Sequence, residues 1–118
     1  MRTRDLASHD LDSLLGSANN KVIANNTSLR REANGDLVVT LHSTDIFRES
    51  PNGDVTFNTG GWNTATTRKR LNAFGAPRFN VGTRKGQLHV RDRRTDVEHP
   101  FDTSITINRW SGEVISVN

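Results

Sequence analysis

The chain has 118 residues, 32% of them apolar and 25% charged, with a formal net charge of +3 and no cysteine. That length suits a single domain with one modest core, and the missing thiols exclude a disulfide framework, thiol catalysis and cysteine-ligated zinc. No apolar run approaches a membrane span, and the basic start Met1-Arg2-Thr3-Arg4 has no apolar block behind it, so neither membrane insertion nor a secretory signal is predicted.

Residues 1–20 read as an N-terminal arm or short helix. Asp10, Leu11, Leu14 and Leu15 set out an amphipathic turn that starts near Ser8 or Asp10 and stops at Gly16, and Ser17-Ala18-Asn19-Asn20 reads as a linker. A mobile tail fits the same residues. Residues 21–118 read as one compact α+β domain, built mainly of antiparallel hairpins. Asn34-Gly35 separates Leu29–Glu32 from Leu37–Leu41, a strong hairpin signature. Leu37, Val39 and Leu41 would share one face. Pro51-Asn52-Gly53 joins Ile46–Glu49 to Val55–Asn58, with Val55 and Phe57 facing the core.

A central helix is expected over about 63–74. Asn63 or Thr64 serves as N-cap, Gly75 as the left-handed residue past its end, and Pro77 blocks continuation. Thr64, Thr67, Leu71 and Phe74 fall on one stripe, with Arg68 and Arg70 flanking it roughly 160° apart around the axis. Two further hairpins follow, turning at Lys85-Gly86 and at Ser111-Gly112.

The stretch from Gly60 to Asn72 carries the most functional information. It sets a glycine pair, Trp62, several hydroxyl or amide residues and three cations at the start of the helix, where backbone N–H groups lack partners. Thirteen of the sixteen basic residues are arginine, whose flat fork of donors matches phosphate. A GC-rich genome accounts for the same bias, and a solvated basic helix face is the plain alternative. Trp62, Phe74, Phe79 and Trp110 could stack on a base, and Asn80 and Asn108 could read its edge or a ribose. Arg84, His89, Arg91, Thr106, Asn108 and Arg109 would occupy outward positions of the last two hairpins.

Catalysis has little support. His9, His42, His89 and His99 lack metal-type spacing, the aspartates fall in turns, and no hydroxyl stands in a nucleophile context. No enzyme, no cofactor and no metal site is predicted. The thin apolar content points to burial between subunits, hence a homo-oligomer.

Asn25-Asn26-Thr27, Leu41-His42-Ser43-Thr44-Asp45-Ile46, Pro51-Asn52-Gly53 and Gly60-Gly61-Trp62 through Asn72 together resemble a family of small tailed-phage proteins with a GGWxTxTT-x-x-R-[IL]-N motif. The resemblance spans most of residues 21–107. The chain departs from the pattern at Asn52, where aspartate is usual, and in Pro100-Phe101-Asp102-Thr103-Ser104-Ile105, where Ser104-Ile105 stand in place of a glycine–methionine pair. That family is similar in turn to the phage Thoeris anti-defence sponges. The resemblance implies a protein of the infected bacterial cytoplasm that sequesters a cyclic nucleotide-type signal, a cyclic ADP-ribose isomer or a cyclic oligonucleotide, without cleaving it. Arginines would hold phosphates, and an aromatic and an asparagine would hold base and ribose. Phe79, Asn80, Arg84 and Arg109 are the residues suggested for those roles, with Trp62 and Arg68 added from the helix argument and Asn108 from the amides. Nucleic-acid binding through the Arg68–Arg70 helix, or inhibition of a host protein, are the alternatives.

Overall fold

A computed structural model describes residues 11–75 and 78–118. In chain order the elements are α1 (Leu11–Leu15), β1 (Asn20–Ala24), β2 (Thr27–Arg31), β3 (Leu37–Leu41), β4 (Thr44–Glu49), β5 (Asp54–Asn58), α2 (Ala65–Gly75), β6 (Phe79–Arg84), β7 (Gln87–Asp92), β8 (Val97–Pro100), β9 (Ser104–Asn108) and β10 (Val114–Val117). Strands β1 to β5 form an antiparallel meander, β9 returns to pair with β5, and β10 closes a seven-stranded sheet. Helix α2 and a second sheet, β6-β7-β8, are inserted between β5 and β9. The α+β expectation holds.

Alternation of side chains along strands explains the layering. Leu29, Val39, Phe47, Phe57 and Ile105 are successive register partners across five strands, so one apolar row runs over one face of the large sheet. Phe79, Val81, Leu88 and Val90 of the small sheet and Leu71 of α2 belong to the same buried cluster. The Phe57 ring meets Phe47 at 5.3 Å and Phe79 at 5.7 Å, both edge to face, the arrangement that ring quadrupoles favour. Leu11 and Leu15 of α1 are also part of this core; the sequence-predicted start of that helix at Ser8 or Asp10 lies outside the described residues.

The opposite face is polar. Arg30, Val38, Arg48, Thr56 and Thr106 are register neighbours there. Val38 is fully buried, lying between two arginines whose aliphatic stems can roof it. Arg30 is bonded to Asp45 and Glu32, and Arg48 to Glu32 and Asp36. Hydrogen bonds from Arg30 and Arg48 hold the Asp45 and Glu32 carboxyls below their usual range. Burial pushes Asp36 upward, yet its bonds from Arg48 and Ser50 prevail and its pKa falls.

Three turns expected from asparagine–glycine or lysine–glycine pairs are present, and two more hairpins join them. Asn25-Asn26 links β1 to β2, and His42-Ser43 links β3 to β4, with Asn26 and His42 at positive φ. Helix α2 is capped by Thr64, whose Oγ1 accepts from the Thr67 N–H at 3.2 Å. Gly75 departs from expectation. It ends the helix without a positive φ, and its hydrogen makes room for Phe57, whose ring would lie 2.9 Å from a Cβ at that position.

Candidate functional site

The β3–β4 turn and the loop from β5 into α2 emerge at the same end of the large sheet, because β3 and β5 run in the same direction. Gly60 lets them approach closely: a Cβ there would sit 2.7 Å from Thr44 Cγ2, so a side chain would collide with Thr44. A bulge between Val39 and Thr40 makes Ile46 the extra residue of β4. Phe47 thereby stays in the core while Ile46 turns to the new wall.

Between the loops lies a concavity of about 490 Å³. Its floor and one side are Leu41, His42, Ser43, Thr44 and Ile46; Thr59, Trp62, Thr64, Thr66 and Thr67 form the other side. That volume is in the range of small-molecule sites. The surface is chemically specific: five threonines and a serine, one imidazole, two aliphatic side chains and one indole. The Trp62 indole is 65% exposed, although its backbone is fixed by a 2.9 Å bond from its N–H to the Thr59 carbonyl. Thr59 is itself tied down through Oγ1 to the Thr103 carbonyl at 3.1 Å.

The start of α2 forms part of the rim. The Thr67 N–H is satisfied by Thr64, and the Arg68 N–H makes the first intrahelical bond, to the Thr64 carbonyl. The N–H groups of Ala65 and Thr66 precede any intrahelical acceptor and stand at the positive end of the helix dipole. Among the described residues, the hydroxyls of Ser43 and Thr66 and the imidazole of His42 have no hydrogen-bond partner. The arrangement therefore offers neutral donors and acceptors beside a flat aromatic surface.

The sequence-predicted residues do not assemble into one site. They fall in three places. Trp62 lines the concavity, and Arg68 is close to its rim, donating to the carbonyl and the side-chain oxygen of Asn63, the residue between Trp62 and Thr64. Phe79, Asn80 and Arg84 are on β6 in the small sheet. Phe79 is 4% exposed within the core, so its ring has no free face for a base, which corrects the stacking role suggested for it. Asn80 is half-buried opposite Arg91, and Arg84 pairs with Glu98 at 2.7 Å.

Asn108 and Arg109 end β9 in the large sheet. Asn108 holds two turns together: its Nδ2 donates to the Asn52 carbonyl and to Asp54, and its Oδ1 accepts from the N–H groups of Trp110 and Ser111. Arg109 pairs with Glu49 and lies 5.3 Å from the centre of the Trp110 ring. The outward positions of the last two hairpins, which carry Arg84, Arg91, Asn108 and Arg109, thus belong to two separate sheets. Seven arginines, at 30, 31, 48, 78, 84, 91 and 109, are each matched to a carboxylate. The concavity beside the glycine pair exists, but hydroxyl groups line it where guanidinium groups were expected. The signal that could have found it is the density of threonine in Thr59–Thr67, read together with the Leu41–Thr44 turn.

Among the described residues, no helix is long and apolar enough to cross a membrane, and no three His, Asp or Glu are grouped to hold a metal. No curated protein and no solved structure is matched by the chain. The Kyanoviridae Gp96 protein family matches residues 3–108, nearly the whole sequence, and the chain belongs to that family of tailed-phage proteins.

Proposed function

We propose that this phage protein binds a nucleotide-type small molecule in the concavity between the β3–β4 turn and the start of α2, and that it sequesters this ligand without altering it. The observation that carries the reading is the composition of that concavity: an exposed indole on a hydrogen-bonded backbone stands beside a row of hydroxyls and the open N–H groups of a helix start. A purine or similar ring stacks on Trp62, while ribose hydroxyls and phosphoryl oxygens meet Ser43, Thr64, Thr66 and the N–H groups of Ala65 and Thr66. Arg68 supplies positive charge at the rim. A cyclic nucleotide or cyclic ADP-ribose isomer is the ligand class we favour, and capture of such a host immune signal would make the protein an anti-defence factor. The lining contains no hydroxyl paired with a general base, which supports holding over turnover.

A nucleic-acid-binding role has less behind it. Most arginines of the described residues are already matched to carboxylates, so they have less to offer a polyanion.

The test uses Trp110→Phe as background, leaving Trp62 as the reporter. Cyclic dinucleotides, cyclic trinucleotides and cyclic ADP-ribose isomers are titrated while emission and melting are followed. Binding should change Trp62 emission saturably and add about 2.7 kcal/mol of stability at a hundredfold excess over Kd. Mass spectrometry of the released ligand should return it intact. Trp62→Ala should abolish binding with little change in melting. If no member of the panel alters emission or melting, the reading fails.

A further inference from the structure

The two sheets have four outer strand edges, and they are defended unequally. On β6 the Asn72 side chain of α2 acts as a surrogate strand: its Nδ2 donates to the Val81 carbonyl at 3.0 Å and its Oδ1 accepts the Val81 N–H. On β8 the edge carries Glu98, His99 and Pro100, a charge and a residue that cannot donate. On β1 there is Lys21, beside α1, together with a bulge after Val22. Among the described residues, strand β10 has a bulge at Ile115 and no other protection. Its residues Val114-Ile115-Ser116-Val117 include no charge and no proline, and Ile115 and Val117 are each 50% exposed.

The ladder shows which groups are open. Asn118 and Ser104 exchange both backbone hydrogen bonds, so Val117, one residue before, directs its N–H and C=O away from β9. Among the described residues nothing pairs with them.

We propose that the β10 edge is a self-association surface, where a second copy of this chain adds its own β10 antiparallel. A two-fold axis near Ser116 sets Ile115 of each copy beside the partner's Val117, so four half-exposed aliphatic side chains cover one another. The uncharged strand suits its own copy, since no like charges meet across the axis, whereas β1 and β8 bring Lys21 or Glu98 against themselves. An isologous contact of this kind also closes at two copies and leaves no free β10 edge to extend a filament. Four residues per edge bury less than the roughly 1,000 Å² of a firm interface, so the dimer forms in a concentration-dependent way.

The proposal is independent of the ligand reading, and sedimentation of the full chain without ligand tests it. Wild-type mass should rise from 13.1 kDa towards twice that value as concentration increases from about 1 μM to about 1 mM. Ile115→Lys, which puts like charges on either side of the axis, should weaken association at least about tenfold. Val117→Pro removes the outward donor without costing a β9 bond and should do the same. Both variants should melt, when dilute, close to the wild type. A wild type that stays at the monomer mass overturns the proposal even if some other protein binds the edge, and so does an oligomer that both variants leave unchanged.

Discussion

The buried pair Arg78–Asp92 makes the sharpest stability prediction. The Asp92 side chain is 1% exposed and that of Arg78 17%; Nε and Nη2 of Arg78 donate to the two carboxylate oxygens at 3.0 and 2.9 Å. Asp92 also accepts the Arg94 N–H at 3.0 Å, while Arg78 donates to the Arg109 carbonyl and lies over the Phe79 ring. Asp92→Asn keeps the volume and strands the guanidinium without a countercharge. Breaking such a pair costs about 3–5 kcal/mol, and the bond to Arg109 puts this case near the lower figure, about 3 kcal/mol. For a chain of this size that is a fall in Tm of roughly 10–15 °C. Chemical denaturation of Asp92→Asn, Arg78→Met and the double variant measures it. The double variant should cost no more than the worse single, because removing the second partner relieves an unpaired charge. A cost below about 1 kcal/mol for Asp92→Asn, or two single costs that simply add, would refute the reasoning.

The same pair fixes a pH dependence. Hydrogen bonding from Arg78 outweighs burial and holds the Asp92 carboxyl below its usual range. Its folded value is thus lower than its unfolded value of about 3.9, so the stabilisation is complete above about pH 4 and drains away as pH falls through the folded value. Asp92→Asn should therefore lose less stability than the wild type on acidification. Some acid sensitivity will remain in it, since Glu32, Asp36 and Asp45 are shifted in the same direction.

Gly53→Ala should destabilise by roughly 1–3 kcal/mol, since φ is +93° and a Cβ would lie 2.6 Å from Trp110 Cε3; a red shift of Trp110 emission should accompany it. Asn72→Leu strands the N–H and carbonyl of buried Val81 and should cost roughly 2–4 kcal/mol in a urea melt, with a near-neutral result counting against the clamp on β6. Thr64→Ala removes the α2 cap and should cost about 1 kcal/mol, read by thermal melting of the far-ultraviolet circular dichroism.

Much of the fold was legible where local chemistry is strong. Asn34-Gly35, Asn52-Gly53 and Lys85-Gly86 need positive φ or a side-chain oxygen that accepts from the backbone, and each turn is where the sequence placed it. The apolar faces of β3 and β5 followed from alternation alone. The β1–β2 and β3–β4 turns were harder to read because Asn26 and His42 adopt positive φ without a neighbouring glycine. Sheet membership was not legible. Nothing local in β6 and β9 says that they belong to different sheets, so Phe79, Asn80 and Arg84 were grouped with Asn108 and Arg109 although long-range pairing separates them. The arginines illustrate the same limit: their partners, such as Glu49 for Arg109, are remote in sequence and could be found only after folding.

Insertion of α2 and the small sheet between β5 and β9 has a kinetic consequence. Thr59 and Thr103 meet at the neck of that insertion, 44 positions apart, and pairing β5 with β9 closes that long loop. The entropic cost grows only slowly with length, about 0.6 kcal/mol per doubling, but pairing of such high sequence separation slows the search for the native topology. Since Thr59 also lines the concavity, the cleft should be among the last parts to mature during refolding, after the local hairpins have formed.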